Sequence, residues 1–125
     1  MKHKEIIKII LQNKSNISKS KILCIGDIIL DRYIHGRVER LSPEAPIPIL
    51  IYEKETFELG GIGNVARNIS SLGGNVTVIK LLGQDANSKK INYILSHIKN
   101  IKKFDIKVDN FQTPLKTRYI NNTSH

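Results

Sequence analysis

An alternation of strand-like and helix-like segments is the feature that most constrains the fold of this chain. The strand-like segments are short and rich in β-branched residues, and they lie at residues 21–27, 75–83, 104–109 and 113–120. Between the first three, apolar residues recur at helical spacing, at residues 63–74 and 84–100. Strands that alternate with helices predict an α/β fold built on a largely parallel sheet. The first strand, "KILCIGD", carries an uninterrupted apolar run and is predicted to be buried.

Both helix-like segments have apolar faces and end signals. In "GNVARNISSLGG" the spacing places Val65, Ile69 and Leu72 on one face, and the Gly73-Gly74 pair ends the helix. The apolar residues of the second helix also lie at helical spacing: Ile91, Ile94, Leu95 and Ile98. Either Asp85 or Asn87 could cap its start.

Residues 28–58 interrupt the alternation. "RYIHGRVERL" is amphipathic and is broken by Gly36, and "SPEAPIP" holds three prolines within six residues. Such a proline density excludes a helix or a central strand. "IPILIYEKE" can form an edge strand or a lid strand. The segment therefore predicts an excursion from the α/β layer.

The chain has 125 residues, enough for one small domain with a real core. We predict this domain at residues 21–125, preceded at residues 1–20 by a helix and a polar linker. The helix would carry apolar residues on one side: Ile6, Ile7, Ile10 and Leu11. Lys8 interrupts the apolar part and no small-residue cleavage site follows, so the pattern is not that of a signal peptide.

Composition argues against several classes of partner and cofactor. No apolar run approaches the roughly 20 residues that span a bilayer, so no membrane partner is expected. The single cysteine, Cys24, excludes an internal disulfide and suits a reducing cytoplasm, the expected location. Cys24 is interpreted as a small core residue. The four histidines lack metal-ligand spacing, so no metal site is expected: His3, His35, His97 and His125.

The formal net charge of +9 could indicate a nucleic acid or an anionic substrate. The excess is almost all lysine and is scattered over every segment. No dense basic block and no basic stretch with interleaved aromatic residues is present. We therefore expect no nucleic-acid partner.

Two stretches carry candidate binding chemistry. Asp27 and Asp31 follow the first strand in "GDIILD", and open α/β sheets bind ligands beyond the carboxyl ends of their strands. A carboxylate there can accept hydrogen bonds from sugar hydroxyls. An Asp that caps nearby amides in a turn would have the same local pattern, so both interpretations stay open.

The second stretch is "ELGGIGNVARNISSLGG", residues 58–74. Gly60 and Gly61 let the backbone approach a ligand closely, and Asn64 offers a donor and an acceptor near a helix start. An ordinary glycine turn before a helix would look the same. The stretch lacks both the G-x-G-x-x-G spacing of dinucleotide folds and the G-K-[ST] end of a P-loop.

Taken together, the two stretches resemble the opening of a carbohydrate kinase of the ribokinase (PfkB-type) family. The resemblance lies in "GDIILDRY", "SPEAPIP" and "GGIGNVARNISSLGG", in that order, and covers residues 21 to about 120. Within the family, these motifs are most similar to those of the heptose 7-phosphate kinases of lipopolysaccharide-core ADP-heptose biosynthesis. The resemblance implies a partial ribokinase-like fold, an α/β layer with a parallel sheet and a small β lid.

The resemblance also implies roles for individual residues. Asp31 would hold sugar hydroxyls, and Gly60, Gly61 and Asn64 would line the same substrate site. Lys116 and Arg118 would lie on a strand near the substrate and could contact its phosphate, although a solvated strand face is an equal alternative. Ile62 departs from the family pattern, which usually has a small residue there.

The lid of such kinases closes over the sugar and often pairs two subunits. Here residues 32–40 and 46–57 would build it, so a homodimer through the lid is one expected assembly. ATP and Mg²⁺ serve the complete enzymes, whose catalytic Gly-Ala-Gly-Asp type motif lies in their second half. This sequence ends at "NNTSH" before such a motif, so we expect it to contain no catalytic residue and to bind neither ATP nor Mg²⁺ alone.

Three hypotheses follow for the function. The chain could be a truncated or split sugar kinase whose nucleotide half is a separate chain. It could be a non-catalytic remnant that binds sugar phosphates or dimerises. It could also be a decayed gene product that folds poorly.

Overall fold

A computed structural model of the chain describes residues 3–122. Residues 1–2 and 123–125, the outer ends of the two predicted segments, lie outside the described residues, and so does His125. The helices are α1 (His3–Gln12), α2 (Lys14–Lys19), α3 (Ile62–Ser71) and α4 (Ala86–Ser96). The strands are β1 (Lys21–Ile25), β2 (Ile28–Leu41), β3 (Pro48–Gly61), β4 (Asn75–Leu82), β5 (Ile101–Lys107) and β6 (Leu115–Asn121).

Three strands form a parallel sheet in the order β1-β4-β5, which we call the central sheet. Helix α3 precedes β4 and helix α4 precedes β5, so both connections run in the same direction across the sheet. Because such crossovers are right-handed, both helices cover one face of the sheet. Val76 and Val78 of β4 pack there with Ala66 of α3 in a small buried cluster. The predicted parallel α/β layer is confirmed.

The excursion builds a second sheet in the order β3-β2-β6, which we call the lid sheet. Strand β2 pairs antiparallel with β3 and parallel with β6. The predicted lid segments 32–40 and 46–57 fall within β2 and largely within β3. Strand β2 continues through Gly36, where a bulge shifts the register, so the glycine does not end the element as the sequence pattern indicated.

The main hydrophobic core joins the lid sheet to the helical layer. Its buried members come from β2, β3, β4 and α4: Ile28, Leu30, Leu59, Leu82, Ile91 and Leu95. Ile94 and Ile98 pack against it, which confirms the predicted face of α4. Where it meets α4, one face of the lid sheet is therefore apolar and covered, and the side chains that alternate with it lie on the other face.

Within residues 3–122, the opposite face of the central sheet is exposed to solvent. Its side chains project from β1, β4 and β5 and are between 39% and 66% exposed: Leu23, Ile25, Leu81, Phe104 and Ile106. We call this set the open face. The prediction that β1 is buried was wrong, because β1 is an edge strand and the covering helices lie on the other side.

Two helical predictions also need correction. Helix α3 buries Gly63 and Ala66, whereas Val65 and Leu72 are about half exposed, since the helix turns its small residues toward the sheet. The segment predicted as a polar linker forms the short helix α2. Helix α1 forms as predicted, but its apolar side stays exposed. No helix within residues 3–122 is long and apolar enough to cross a membrane.

Candidate functional site

The candidate site lies on the polar face of the lid sheet. The alternation of β2 directs Ile28 and Leu30 into the core and Asp31 to the opposite face. Asp31 lies opposite Glu58 of β3 and opposite Lys116 of β6 in the strand registers. Neighbouring strands thus bring two carboxylates and a lysine to one place, although they come from distant parts of the sequence.

Asp31 forms an ion pair with Arg118, the residue two positions after Lys116 on β6. Arg118 Nη1 lies 2.5 Å from Asp31 Oδ1, and the Asp31 side chain is only 15% exposed. This hydrogen bond raises the pKa of Arg118 above its ordinary value. The guanidinium also lies over the ring of Tyr33, 5.1 Å from its centroid. Lys116 is exposed beside this pair. The structure therefore brings Asp31, Lys116 and Arg118 together.

Gly60 and Gly61 have separate structural roles. A Cβ at Gly60 would lie 2.6 Å from Asp31 Oδ2, so only glycine leaves room for that carboxylate. Gly61 adopts a φ of +56° and is the N-cap of α3, where Ile62 N–H donates to the Asp27 carbonyl over 3.0 Å. Gly60 thus belongs to the Asp31 environment, while Gly61 makes the turn from strand to helix.

Ile62, the departure from the family pattern, points to the interior. Its side chain packs against both buried clusters. A Cβ at Gly26 would approach Ile62 Cγ2 to 3.1 Å, so the two positions are closely packed. The larger residue therefore fills the core behind the turn.

Asn64 lies in the first turn of α3 and contacts a residue that the sequence analysis missed. Arg67 Nη2 donates to Asn64 Oδ1 over 3.2 Å, and Arg67 Nη1 pairs with Glu58. Since Glu58 lies opposite Asp31, Arg67 connects Asn64 to the rest of the cluster. Helical spacing of three residues could have indicated the Asn64–Arg67 contact, but nothing local indicated the pairing with Glu58.

A second feature that the sequence analysis missed is a buried ion pair on the helix-covered face of the central sheet. Lys80 of β4 has a fully buried side chain and pairs with Asp105 of β5, which also accepts from Asn92 Nδ2 over 2.6 Å. Burial of the Asp105 carboxyl opposes its ionisation, but the hydrogen bonds from Lys80 and Asn92 outweigh burial and lower its pKa. The sequence signal was Lys80 itself, which occupies an apolar register of β4.

Asp85 ties the helical layer to the strand that carries Arg118. It caps α4 as predicted, accepting from Ser88 N over 2.8 Å, and its other oxygen accepts from Thr113 N over 2.7 Å. Burial raises the pKa of Asp85, but these backbone hydrogen bonds outweigh it and hold the pKa below its usual range. Thr113 Oγ1 accepts in turn from Gly83 N over 2.9 Å. The network fixes the chain just before β6 begins.

The cluster combines complementary hydrogen-bonding groups on one surface. Carboxylates accept hydrogen bonds, and guanidinium, ammonium and amide groups donate them. Such a surface can bind a ligand that carries both hydroxyls and an anionic group. Within residues 3–122, no group of three or more His, Cys, Asp or Glu side chains could hold a metal ion.

The sequence of the chain matches a known family and known proteins. The family model described as pfkB family carbohydrate kinase matches residues 19–118. The chain is 40% identical over 105 residues to the bifunctional protein HldE of Granulibacter bethesdensis, and the match covers 84% of this chain and 22% of that protein. The chain thus spans about a fifth of this curated relative.

Solved structures show the same fold. A carbohydrate kinase from Agrobacterium tumefaciens matches with a TM-score of 0.64 and 26% identity, covering 82% of this chain and 32% of that one. Phosphofructokinase-2 from Escherichia coli, solved with substrates and products, matches with a TM-score of 0.62 and 25% identity, covering 82% and 31%. The predicted partial ribokinase-like fold is confirmed, and the chain belongs to the pfkB family of carbohydrate kinases.

Proposed function

We propose that this chain is the sugar-binding part of a kinase that phosphorylates heptose 7-phosphate. The observation that carries the proposal is the pairing of Asp31 with Arg118 beside Lys116 on the polar face of the lid sheet. A carboxylate next to two cations suits a ligand with both hydroxyls and a phosphate. The similarity to HldE proteins supports a heptose phosphate as that ligand.

Each residue of the cluster has a role in this proposal. Asp31 accepts hydrogen bonds from neighbouring sugar hydroxyls. Arg118 keeps donors beyond the one that it gives to Asp31, and these bind phosphate oxygens together with Lys116. Gly60 and Gly61 keep the backbone between Asp31 and α3 free of side chains, and Asn64 lines the same site.

The proposed reaction of the complete enzyme is transfer of the γ-phosphoryl group of ATP to the anomeric hydroxyl of D-glycero-D-manno-heptose 7-phosphate. ATP with Mg²⁺ supplies the phosphoryl group and neutralises its charge. We assign both to the part of such kinases that this chain does not cover. Residues of this chain bind and orient the sugar phosphate, and positioning of this kind is a large part of phosphoryl-transfer catalysis.

We further propose that the nucleotide-binding half of the kinase covers the open face. Parallel sheets are normally covered on both faces, whereas Phe104 and Ile25 are 58% and 66% exposed. The solved kinases are about three times as long as the part that this chain matches, so they contain enough additional chain to cover this face. Within residues 3–122, strand β1 pairs only with β4, so a further strand can add to its other edge.

The docking proposal is tested by mixing the full chain with the segment that follows the matched region in the Granulibacter relative. Sedimentation is expected to show a one-to-one complex that Phe104→Lys and Ile25→Lys each abolish. A homodimer that the same substitutions dissociate would instead assign the open face to a second copy and contradict the proposal.

The lid offers a second assembly surface, and we propose a homodimer there. Leu41, Ile47 and Tyr52 near the β2–β3 connection are each about 60% exposed, which suits contact with another lid. Tyr52→Lys is expected to convert such a dimer to a monomer in sedimentation, while Phe104→Lys leaves it unchanged. A chain that is monomeric at all concentrations would contradict this assembly.

Sugar binding is tested by thermal unfolding of the full chain with and without D-glycero-D-manno-heptose 7-phosphate. Ligand at 100 times its Kd is expected to stabilise the fold by about 2.7 kcal/mol. Asp31→Asn is expected to remove the shift. The control Arg32→Gln, which breaks a pair with Glu55 on the other face of the lid sheet, is expected to keep it. An unfolding temperature that does not change when the sugar phosphate is added would contradict the proposed site.

Activity separates the proposed kinase part from a non-catalytic binder. The chain alone is expected to produce no ADP from ATP and the sugar phosphate. Addition of the nucleotide half is expected to restore turnover. Ligand binding without turnover in that mixture would favour the non-catalytic alternative, and turnover by the chain alone would contradict the division of roles.

A further inference from the structure

Arg67 is placed to control the side chain of Asn64. Its guanidinium contacts two acceptors, the Glu58 carboxylate and Asn64 Oδ1. Glu58 belongs to β3, whereas Asn64 and Arg67 lie one helical turn apart on α3. Arg67 therefore ties the first turn of the helix to the strand that lies opposite Asp31.

This contact determines which end of the Asn64 amide is free. An arginine has only N–H donors, so the group that faces Arg67 has to be the amide oxygen. The amide nitrogen, Nδ2, then lies at the other end and makes no hydrogen bond within residues 3–122. Its two N–H donors are thus available to a ligand.

Arg67 also changes the charge of the surface. Asp31 and Glu58 are cross-strand neighbours, and two unpaired carboxylates there would repel a phosphate. Arg118 pairs with Asp31 and Arg67 pairs with Glu58, so each carboxylate is neutralised from a different element. The cluster can then accept an anionic ligand.

We propose that Arg67 is a positioning residue that fixes Asn64 as a hydrogen-bond donor to the oxygens of the bound sugar phosphate. This inference rests on the proposed function, because it assigns an interaction within the same site. The site is then expected to bind preferentially those ligands that present an acceptor oxygen to Asn64. Arg67 itself acts through Asn64 and Glu58.

The orientation of the amide is tested first, without ligand, by NMR of the full chain. The ¹³Cγ shift of Asn64 reports hydrogen bonding at Oδ1, and it is expected to change in Arg67→Gln and in Glu58→Gln. Arg32→Gln is a matched control, because Arg32 and Glu55 form a similarly exposed ion pair on the opposite face of the sheet. An unchanged shift in Arg67→Gln would overturn the inference, whatever the chain binds.

Calorimetry with D-glycero-D-manno-heptose 7-phosphate then tests the donor role. Asn64→Asp keeps the acceptor for Arg67 but cannot donate, so affinity is expected to fall at least about tenfold with no loss of thermal stability. Asn64→Ala removes the donor without adding charge and is expected to weaken binding similarly. Wild-type affinity in both variants would overturn the donor role while leaving the proposed function intact.

Arg67→Lys separates positioning from charge. Lysine keeps the positive charge but lacks the planar fork that reaches both acceptors. Affinity in Arg67→Lys and Arg67→Gln is expected to fall by about three- to tenfold, somewhat less than the loss of a whole hydrogen bond to a charged group. Full affinity in Arg67→Lys would show that charge alone matters and would overturn positioning. Absence of binding by the wild-type chain would contradict the proposed function and the donor role together.

Discussion

The two sheets of this molecule differ in how completely this chain covers them. The lid sheet packs one face onto α4 and carries paired charged side chains on the other. The central sheet packs one face under α3 and α4, and its other face is apolar and exposed. Sheets that contain an antiparallel pair can leave a polar face in water, whereas purely parallel sheets are normally covered on both sides.

The difference separates the candidate site from the exposed apolar surface. The predicted substrate residues lie on or beside the lid sheet. One face of that sheet packs onto α4, and the other carries paired charged side chains. The exposed apolar surface of the described residues belongs to the central sheet. Because the two sets of residues lie on different sheets, substitutions can perturb the proposed site and the open face separately.

The largest effect is expected at Asp105 of β5, and its neighbour Phe104, on the opposite face of the strand, provides the comparison. Asp105→Ala leaves Lys80 charged and unpaired in the interior, which should destabilise the fold by about 3–5 kcal/mol. Phe104→Ala, on the open face, should cost less than about 1 kcal/mol, although the same truncation in a core costs about 3–5 kcal/mol. Urea unfolding measures both, and an equally large cost at Phe104 would mean that the open face is covered.

A smaller effect is expected in the lid sheet from Gly60→Ala. The added methyl group would lie 2.6 Å from Asp31 Oδ2, so we expect a destabilisation of about 1–3 kcal/mol. In an Asp31→Ala background the clash disappears and the cost should shrink, which a double-mutant cycle in urea detects. Equal costs in both backgrounds would show that the glycine is not needed to accommodate Asp31.

The junction between the two sheets should respond more weakly. Asp85→Ala removes the cap of α4 and the acceptor of Thr113 N–H, with an expected loss of about 1 kcal/mol. Asp109→Ala is the control, because its hydrogen bond from Gln84 is exposed. Thermal unfolding compares the two variants. A loss no greater in Asp85→Ala than in the control would mean that the junction does not stabilise the domain.

The smallest effect is expected in the pH dependence of stability below about pH 4. The pKa values of Asp85 and Asp105 are lower in the folded chain than the unfolded value of about 3.9. Both groups therefore stabilise the fold above the unfolded pKa, and this contribution is lost as pH falls through their folded pKa values. Urea midpoints should fall with acidification, and less steeply in Asp85→Asn. An identical slope in that variant would contradict the role of Asp85.

Local rules were sufficient for the face and the cap of α4 and for much of the strand pattern. Ile91 and Leu95 are buried where helical spacing predicted, Asp85 caps α4, and Gly73 adopts the positive φ of +93° that ends helices. These features depend on residues one or two helical turns away in the sequence, so they can be predicted from the sequence alone. Family membership was predictable as well, because the motifs around Asp31 and Asn64 are contiguous.

Coverage and long-range pairing were decided by the tertiary structure. An apolar run predicted a buried β1, but exposure depends on which face the helices cover, and right-handed crossovers put both on one side. Arg118 pairs with Asp31 across 87 residues of chain because strands β2 and β6 meet in the lid sheet. Arg67 pairs with Glu58, nine residues away, because the turn at Gly61 brings α3 back beside β3. Lys80 is buried because Asp105 on the neighbouring strand neutralises it. By itself the sequence determined the local conformations and the motifs that carry the candidate site. Packing of the tertiary structure determined which side chains meet.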